Sequence, residues 1–252
     1  MDFKSSNLKK TGLSIFLAFI KTNLYYLLTK RNVFLLIIVN LLSLFIIIIN
    51  SSILKGMPYI DAFRNESNLY YETNVFQFIK FLYGIFVVFI NISYFNNEYS
   101  SYASYLIKDY KTKIMFYLSK YIAVMLFDFL EFLALFYVKE LVKIFTPFYR
   151  NPFSHFKEYI SLFCLGLYAF IISSLLMITT KSHLSGIFAL IVYWVSDLVV
   201  IDNSTTIGKI VSFLIISIDE NGSYYYGSLH ILFLFLALFL INISVLLYKD
   251  NI

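Results

Sequence analysis

Val33–Leu54 reads VFLLIIVNLLSLFIIIINSSIL, 22 residues without a charged side chain. About 20 apolar residues in helical form cross the roughly 30 Å hydrocarbon core of a bilayer. No water reaches backbone groups there, so each N–H and C=O must be satisfied within its own segment, and the run must be a helix. Working outward, five more runs of spanning length follow, near Val75–Phe95, Met115–Val138, Glu158–Thr179, Leu184–Ile201 and Leu229–Tyr248. The expected fold class is an all-α integral membrane protein with six transmembrane helices.

Composition agrees. Of 252 residues, 60% are hydrophobic and 14% charged, with a mean hydropathy of +0.77. Soluble domains carry roughly 45–50% apolar and about 25% charged residues. A water-soluble enzyme, a disordered chain and a nucleic-acid-binding domain are thereby excluded, so nucleic acid is not an expected partner. The net charge of +5 is to be read as membrane topology. A lone cysteine, Cys164, leaves no internal disulfide and no cysteine metal cluster. No GxxxxGK[ST] phosphate loop and no HExxH motif occurs. The first apolar run, Ile15 to Ile20, is too short for a signal-peptide core. No soluble domain or internal repeat interrupts residues 1–252, which read as one transmembrane domain.

Residues 8–31 precede the first span. On a helical wheel Lys10, Ser14 and Lys21 fall within about 40° of one another, and most of the remaining face is Leu, Ile, Phe and Tyr. That pattern suits a helix lying in the membrane interface. Orientation follows from the loops, because Lys and Arg favour the cytoplasmic side. With the N-terminus inside, the inner side carries 11 basic residues, six of them from Lys4 to Arg31, and the outer side 7. Lys139, Lys143 and Arg150, placed outside, weigh against this assignment. The leading segment decides for N-in, C-in. Residues 202–228 then form an outer loop. Its apolar stretch Ile207–Ser217 is half a span long, suiting a re-entrant or interfacial segment, and Tyr224–Tyr226 mark the outer interface.

Ionisable residues inside spans are costly, roughly 2.5–3.5 kcal/mol each at mid-membrane, and so are candidates for function. The third span carries Asp128 and Glu131 on one face, the fifth Asp197 and the second Lys80. Asp128 and Asp197 each lie 13 residues above the cytoplasmic start of their spans, about 20 Å up, and Lys80 lies about 8 Å below the outer surface. These groups share one level. They line a substrate route, or Lys80 pairs with one acid and fixes helix packing; the spacing leaves both open. A proton-coupled carrier or an intramembrane enzyme would use Asp128, Glu131 and Asp197, and a peptide-binding immunity protein is a third alternative for the chain. Ala169/Ser173 and Ser185/Ala189 make small-xxx-small pairs in the fourth and fifth spans, which a short connection makes antiparallel neighbours. His155, His183 and His230 are too scattered for a metal site.

Between the second and third spans the chain reads YFNNEYSSYASYLIKDYKTKIMFYLSKYIAVML, Tyr94–Leu126. An acid, Glu98, is followed by small and aromatic residues, by Leu106 and Ile107, by Lys108, Lys111 and Lys113, and by Lys120 inside the next span. By itself this is a short amphipathic cytoplasmic helix leading into a basic stretch at the membrane surface, where anionic headgroups would hold the lysines. The stretch resembles the first intracellular loop of ABC-2-type transporter permeases, with Glu98, Ser100–Ser104, Leu106, Lys111–Lys113 and Lys120 matching in type and order. It departs from that pattern in lacking Gly-Thr after the acid and Pro before the basic residue. The architecture is similar over nearly the whole chain: an interfacial N-terminal helix, six spans and a partly apolar outer loop. Among such permeases, exporters of amphipathic peptide toxins of the phenol-soluble modulin type are the nearer likeness.

The resemblance implies that residues 96–113, through Glu98, Tyr102, Leu106, Lys111 and Lys113, dock on a separate ATP-binding subunit. It implies that a second copy or a paralogous permease completes the pathway in the lipid bilayer. It further implies that this chain holds no cofactor, ATP and Mg being bound by the partner, and is not itself an enzyme. The Asn-, Ile-, Lys- and Tyr-rich usage points to the plasma membrane of a Gram-positive bacterium with an AT-rich genome.

Overall fold

Two helix starts in this chain are set by side-chain caps, not by the edges of apolar runs. The computed structural model describes residues 12–55, 64–95, 109–144, 156–180, 182–195 and 228–249, and among these every regular element is an α-helix. The helices are α1 (Gly12–Leu27), α2 (Lys30–Lys55), α3 (Arg64–Tyr94), α4 (Tyr110–Ile144), α5 (Phe156–Thr180), α6 (His183–Val195) and α7 (Ser228–Lys249). Thr29 Oγ1 accepts the Asn32 backbone N–H at 3.3 Å, and Asn32 Nδ2 donates to the Leu27 carbonyl at 2.9 Å. One junction thus satisfies orphan groups at the end of α1 and the start of α2. Asp109 caps α4: its Oδ2 accepts the Thr112 N–H at 3.1 Å and the Thr112 hydroxyl at 3.0 Å. The helix therefore begins at Tyr110, five residues ahead of Met115, and Lys111 and Lys113 lie on its first turn.

Four helices are long and apolar enough to cross a membrane, over Lys30–Ile49, Val75–Ile92, Tyr110–Glu140 and Leu162–Thr180. They coincide with the first four expected spans. At the fifth, α6 is described over 13 residues. At the sixth, α7 has 22 residues, of which Phe233–Tyr248 form its described apolar part. α4, at 35 residues, is about 52 Å long and outreaches a bilayer core of about 30 Å.

On these helices polar residues mark the inner face. α2 is apolar all round, yet Asn32, Val39, Ser43 and Ile47 are buried at helical spacing while Phe34, Ile37, Leu41, Phe45 and Ile48 are exposed. An aqueous protein would hide those rings and branched chains. Here the outward face is the one suited to lipid. α3 forms the centre, with 61% of its apolar window buried against 22% for α2; it packs on α2, α4, α5 and α6. α3 and α4 run antiparallel, since Tyr83 meets Asp128, Phe86 meets Phe127 and Tyr94 meets Lys120.

α5 and α6 form an antiparallel hairpin, closed where the Thr180 hydroxyl donates to Ser185 Oγ at 2.7 Å. Ala169, Ser173 and Ala189 are buried in the bundle. Gly186 lies so close to Met177 that a Cβ there would sit 2.9 Å from the sulfur. The small-residue pairs thus belong to helices packed within one chain. Asparagines tie further helices together: Asn91 Nδ2 on α3 donates to the Phe170 carbonyl at 2.7 Å, and Asn242 Nδ2 on α7 to the Ile171 carbonyl at 3.1 Å.

Candidate functional site

Asp128 and Glu131 occupy adjacent turns on the inner face of α4, and both are 0% exposed. Residues three apart share a helix face, so the fold that buries one buries the other. α2 supplies the partner of Glu131: Asn40 Nδ2 donates to Glu131 Oε2 at 2.8 Å and to the Leu36 carbonyl at 2.9 Å. α3 contributes Tyr83, whose hydroxyl donates to the backbone carbonyl of Asp128 at 3.4 Å. The Tyr83 ring in turn lies against Gly166 of α5, in the space a Cβ would need. Three helices therefore meet the acids on α4 directly or through one residue.

Neither carboxylate oxygen of Asp128 has a hydrogen-bond partner among the described residues, nor does Glu131 Oε1 or Asn40 Oδ1. Lys80 is 4% exposed and lies one turn before Tyr83. Because α3 and α4 are antiparallel, with Tyr83 beside Asp128, Lys80 sits at the level of Glu131. Lys80, Asp128 and Glu131 thus lie at neighbouring levels of the packed pair α3 and α4. Asp197, the fourth member, lies outside the described residues. A direct hydrogen-bonded pair between Lys80 and Asp128 is not formed, since both Asp128 oxygens lack a partner among the described residues.

A second polar feature lies eight residues, about 12 Å, towards the start of α4. Lys120 is 2% exposed, with Nζ 5.0 Å from the Tyr94 ring centre and 4.5 Å from that of Phe95. Tyr121, Phe170 and Phe239 extend this aromatic cluster across α4, α5 and α7: Tyr121 is 5.6 Å from Phe170 and 5.3 Å from Phe239. Aromatic faces attract a buried ammonium, so the cage holds the end of α3 to α4.

One turn further down, α1 clamps onto α4. Asn23, 0% exposed, donates from Nδ2 to Ser119 Oγ at 2.8 Å, and Phe19 meets Phe116 edge-on at 5.6 Å. The outward side of α1 presents Leu13, Leu17, Lys21 and Tyr25, all exposed. Ser14 and Thr22 are exposed beside them, so apolar, hydroxyl and lysine side chains share this surface. Of the five residues expected to meet an ATP-binding subunit, Lys111 and Lys113 stand on the first turn of α4, next to this clamp. Glu98, Tyr102 and Leu106 lie outside the described residues.

Sequence reasoning singled out both acids and Lys80 but missed Asn40, Tyr83 and the aromatic partners of Lys120. Asn40 was open to notice as the first polar side chain in the Val33–Leu54 run. Lys139 and Glu140, beyond the expected end of the third span, are buried residues of α4. Comparison with protein-family models, curated proteins and solved structures gives no match.

Proposed function

We propose that the chain is the membrane-spanning subunit of an ATP-driven exporter, powered by a separate ATP-binding subunit that docks from the cytoplasm. The supporting observation is the clamp of α1 on the first turns of α4. Chain leaving α3 at Phe95 re-enters helix at Asp109, and α1 grips α4 at Phe116 and Ser119. A push on residues 96–108 would therefore be delivered to the start of α4 and to the interfacial helix together. Through the Lys120 cage it would also reach the end of α3. That is the mechanical path an external ATPase needs when the transport chain carries no nucleotide site. It accords with the resemblance of residues 94–126 to the first intracellular loop of ABC-2-type permeases.

On this reading α6 and α7 belong to the fifth and sixth spans, N- and C-termini are cytoplasmic, and the membrane is the plasma membrane. Two copies of the chain, or one with a paralogue, form the pathway. Cargo is an amphipathic peptide or a lipophilic compound, matched to a surface rich in Phe and Tyr.

The test uses Leu106→Asp and Glu98→Ala, both outside the membrane core. Each is expected to leave the chain inserted and folded while weakening attachment of the ATPase or uncoupling hydrolysis from export. A buried interface contact of this kind contributes roughly 1–3 kcal/mol, a loss of about tenfold or more in affinity. Wild-type co-purification and wild-type export in both variants would contradict the assignment.

A further inference from the structure

Four buried side-chain oxygens within one turn of α4 and the facing turn of α2 have no hydrogen-bond partner among the described residues: Asp128 Oδ1 and Oδ2, Glu131 Oε1 and Asn40 Oδ1. All are acceptors. The Asn40 amide donor is already engaged with Glu131 Oε2 and the Leu36 carbonyl, which leaves its oxygen beside the Glu131 carboxylate. Asp128 is the electrostatic neighbour of Glu131 along the helix. Buried oxygens are not left bare in folded proteins, because an unmade hydrogen bond costs desolvation without return, and an uncompensated charge costs more. Among the described residues, Lys80 is the cation at this level.

We infer that Asn40, Asp128 and Glu131 form an intramembrane site for one small monovalent cation, either H+ or Na+. The donor set is all oxygen, two carboxylates and a carboxamide, which suits a hard ion and not a soft metal. The buried setting suits one positive charge and not two, because the cost of stripping an ion of water rises with the square of its charge. Other titratable groups facing the site are few. α3 brings Lys80 and Tyr83. α5 packs here through Phe163, whose ring is 5.3 Å from those of Phe129 and Phe132, with Cys164 next to it in the chain. α1 and α7 meet α4 lower, at Phe116–Ser119 and at Tyr121. The site needs no ATPase, so it stands or falls independently of the exporter reading.

Purified full-length protein in detergent tests it. The unfolding temperature is followed as NaCl replaces choline chloride at fixed pH, and separately as the pH is lowered from mildly alkaline to mildly acidic without sodium. The wild type should gain about 5 °C at saturation, the scale of a bound ligand near a hundred times its dissociation constant. A gain with Na+ at fixed pH identifies sodium, and a gain on acidification alone identifies the proton. Asp128→Asn and Glu131→Gln should lose most of that response. A second readout on the wild type is labelling by dicyclohexylcarbodiimide, which adds to a protonated carboxyl in an apolar setting. Peptide mass spectrometry should find the adduct on Asp128 or Glu131, suppressed by Na+ or by alkaline pH according to the ion held. A wild type indifferent to both ions, variants that respond as the wild type does, or the absence of any adduct would overturn the proposal.

Discussion

Single side chains in this protein matter most where a polar group is held against an apolar background. Replacing Asn40 by Leu removes the only donor to Glu131 among the described residues. Leaving a buried acceptor unsatisfied costs about 1–3 kcal/mol, so a loss of that size is expected in detergent unfolding. Asn40→Gln should recover part of it. Two glycines offer a controlled comparison. At Gly166 an added Cβ meets the rigid, fully buried Tyr83 ring, whereas at Gly186 it meets chiefly the flexible end of Met177. Gly166→Ala should therefore cost about 1–3 kcal/mol, and Gly186→Ala clearly less, in the same unfolding measurement. Asp128, Glu131 and Lys80 were legible in the sequence because a charge within an apolar run announces itself. Asn40 was not legible as their partner. Its contact with Glu131 closes over 91 residues, a distance that one sequence does not encode.

At the scale of helices, periodicity and length revealed that the elements exist, and local chemistry moved their edges. An apolar run marks where a helix is in lipid, but Asp109 and Thr29 mark where it begins. That is why α4 starts at Tyr110 and carries Lys111 and Lys113. The inward face of α2 could not be found from apolar residues, since both faces are apolar; its buried Asn32 and Ser43 show it. In the proposed coupling path, the junction between α1 and α4 is the element that carries the push. A double-mutant cycle of Asn23→Ala and Ser119→Ala should give a coupling of about 0.5–1.5 kcal/mol, the net value of one neutral hydrogen bond. Both single variants should keep α4 inserted. Coupling near zero would mean that α1 is held by its rings alone, through Phe19 and Phe116.

The molecule as a whole is a helical bundle with buried polar side chains on its inner faces. Exposed apolar residues on α2, α6 and α7 give the described residues a broad apolar outer surface. The proposed drive for this bundle is ATP hydrolysis on another chain. The most direct measurement is the ATPase activity and subunit mass of the affinity-purified complex from the native membrane, with wild-type chain and with Leu106→Asp in parallel. The expected complex holds two permease subunits and two ATP-binding subunits and shows vanadate-sensitive hydrolysis. Both should be lost or uncoupled in Leu106→Asp, and the chain alone should hydrolyse nothing. A chain that purifies by itself as a stable monomer, or that hydrolyses ATP without a partner, would contradict the proposed drive.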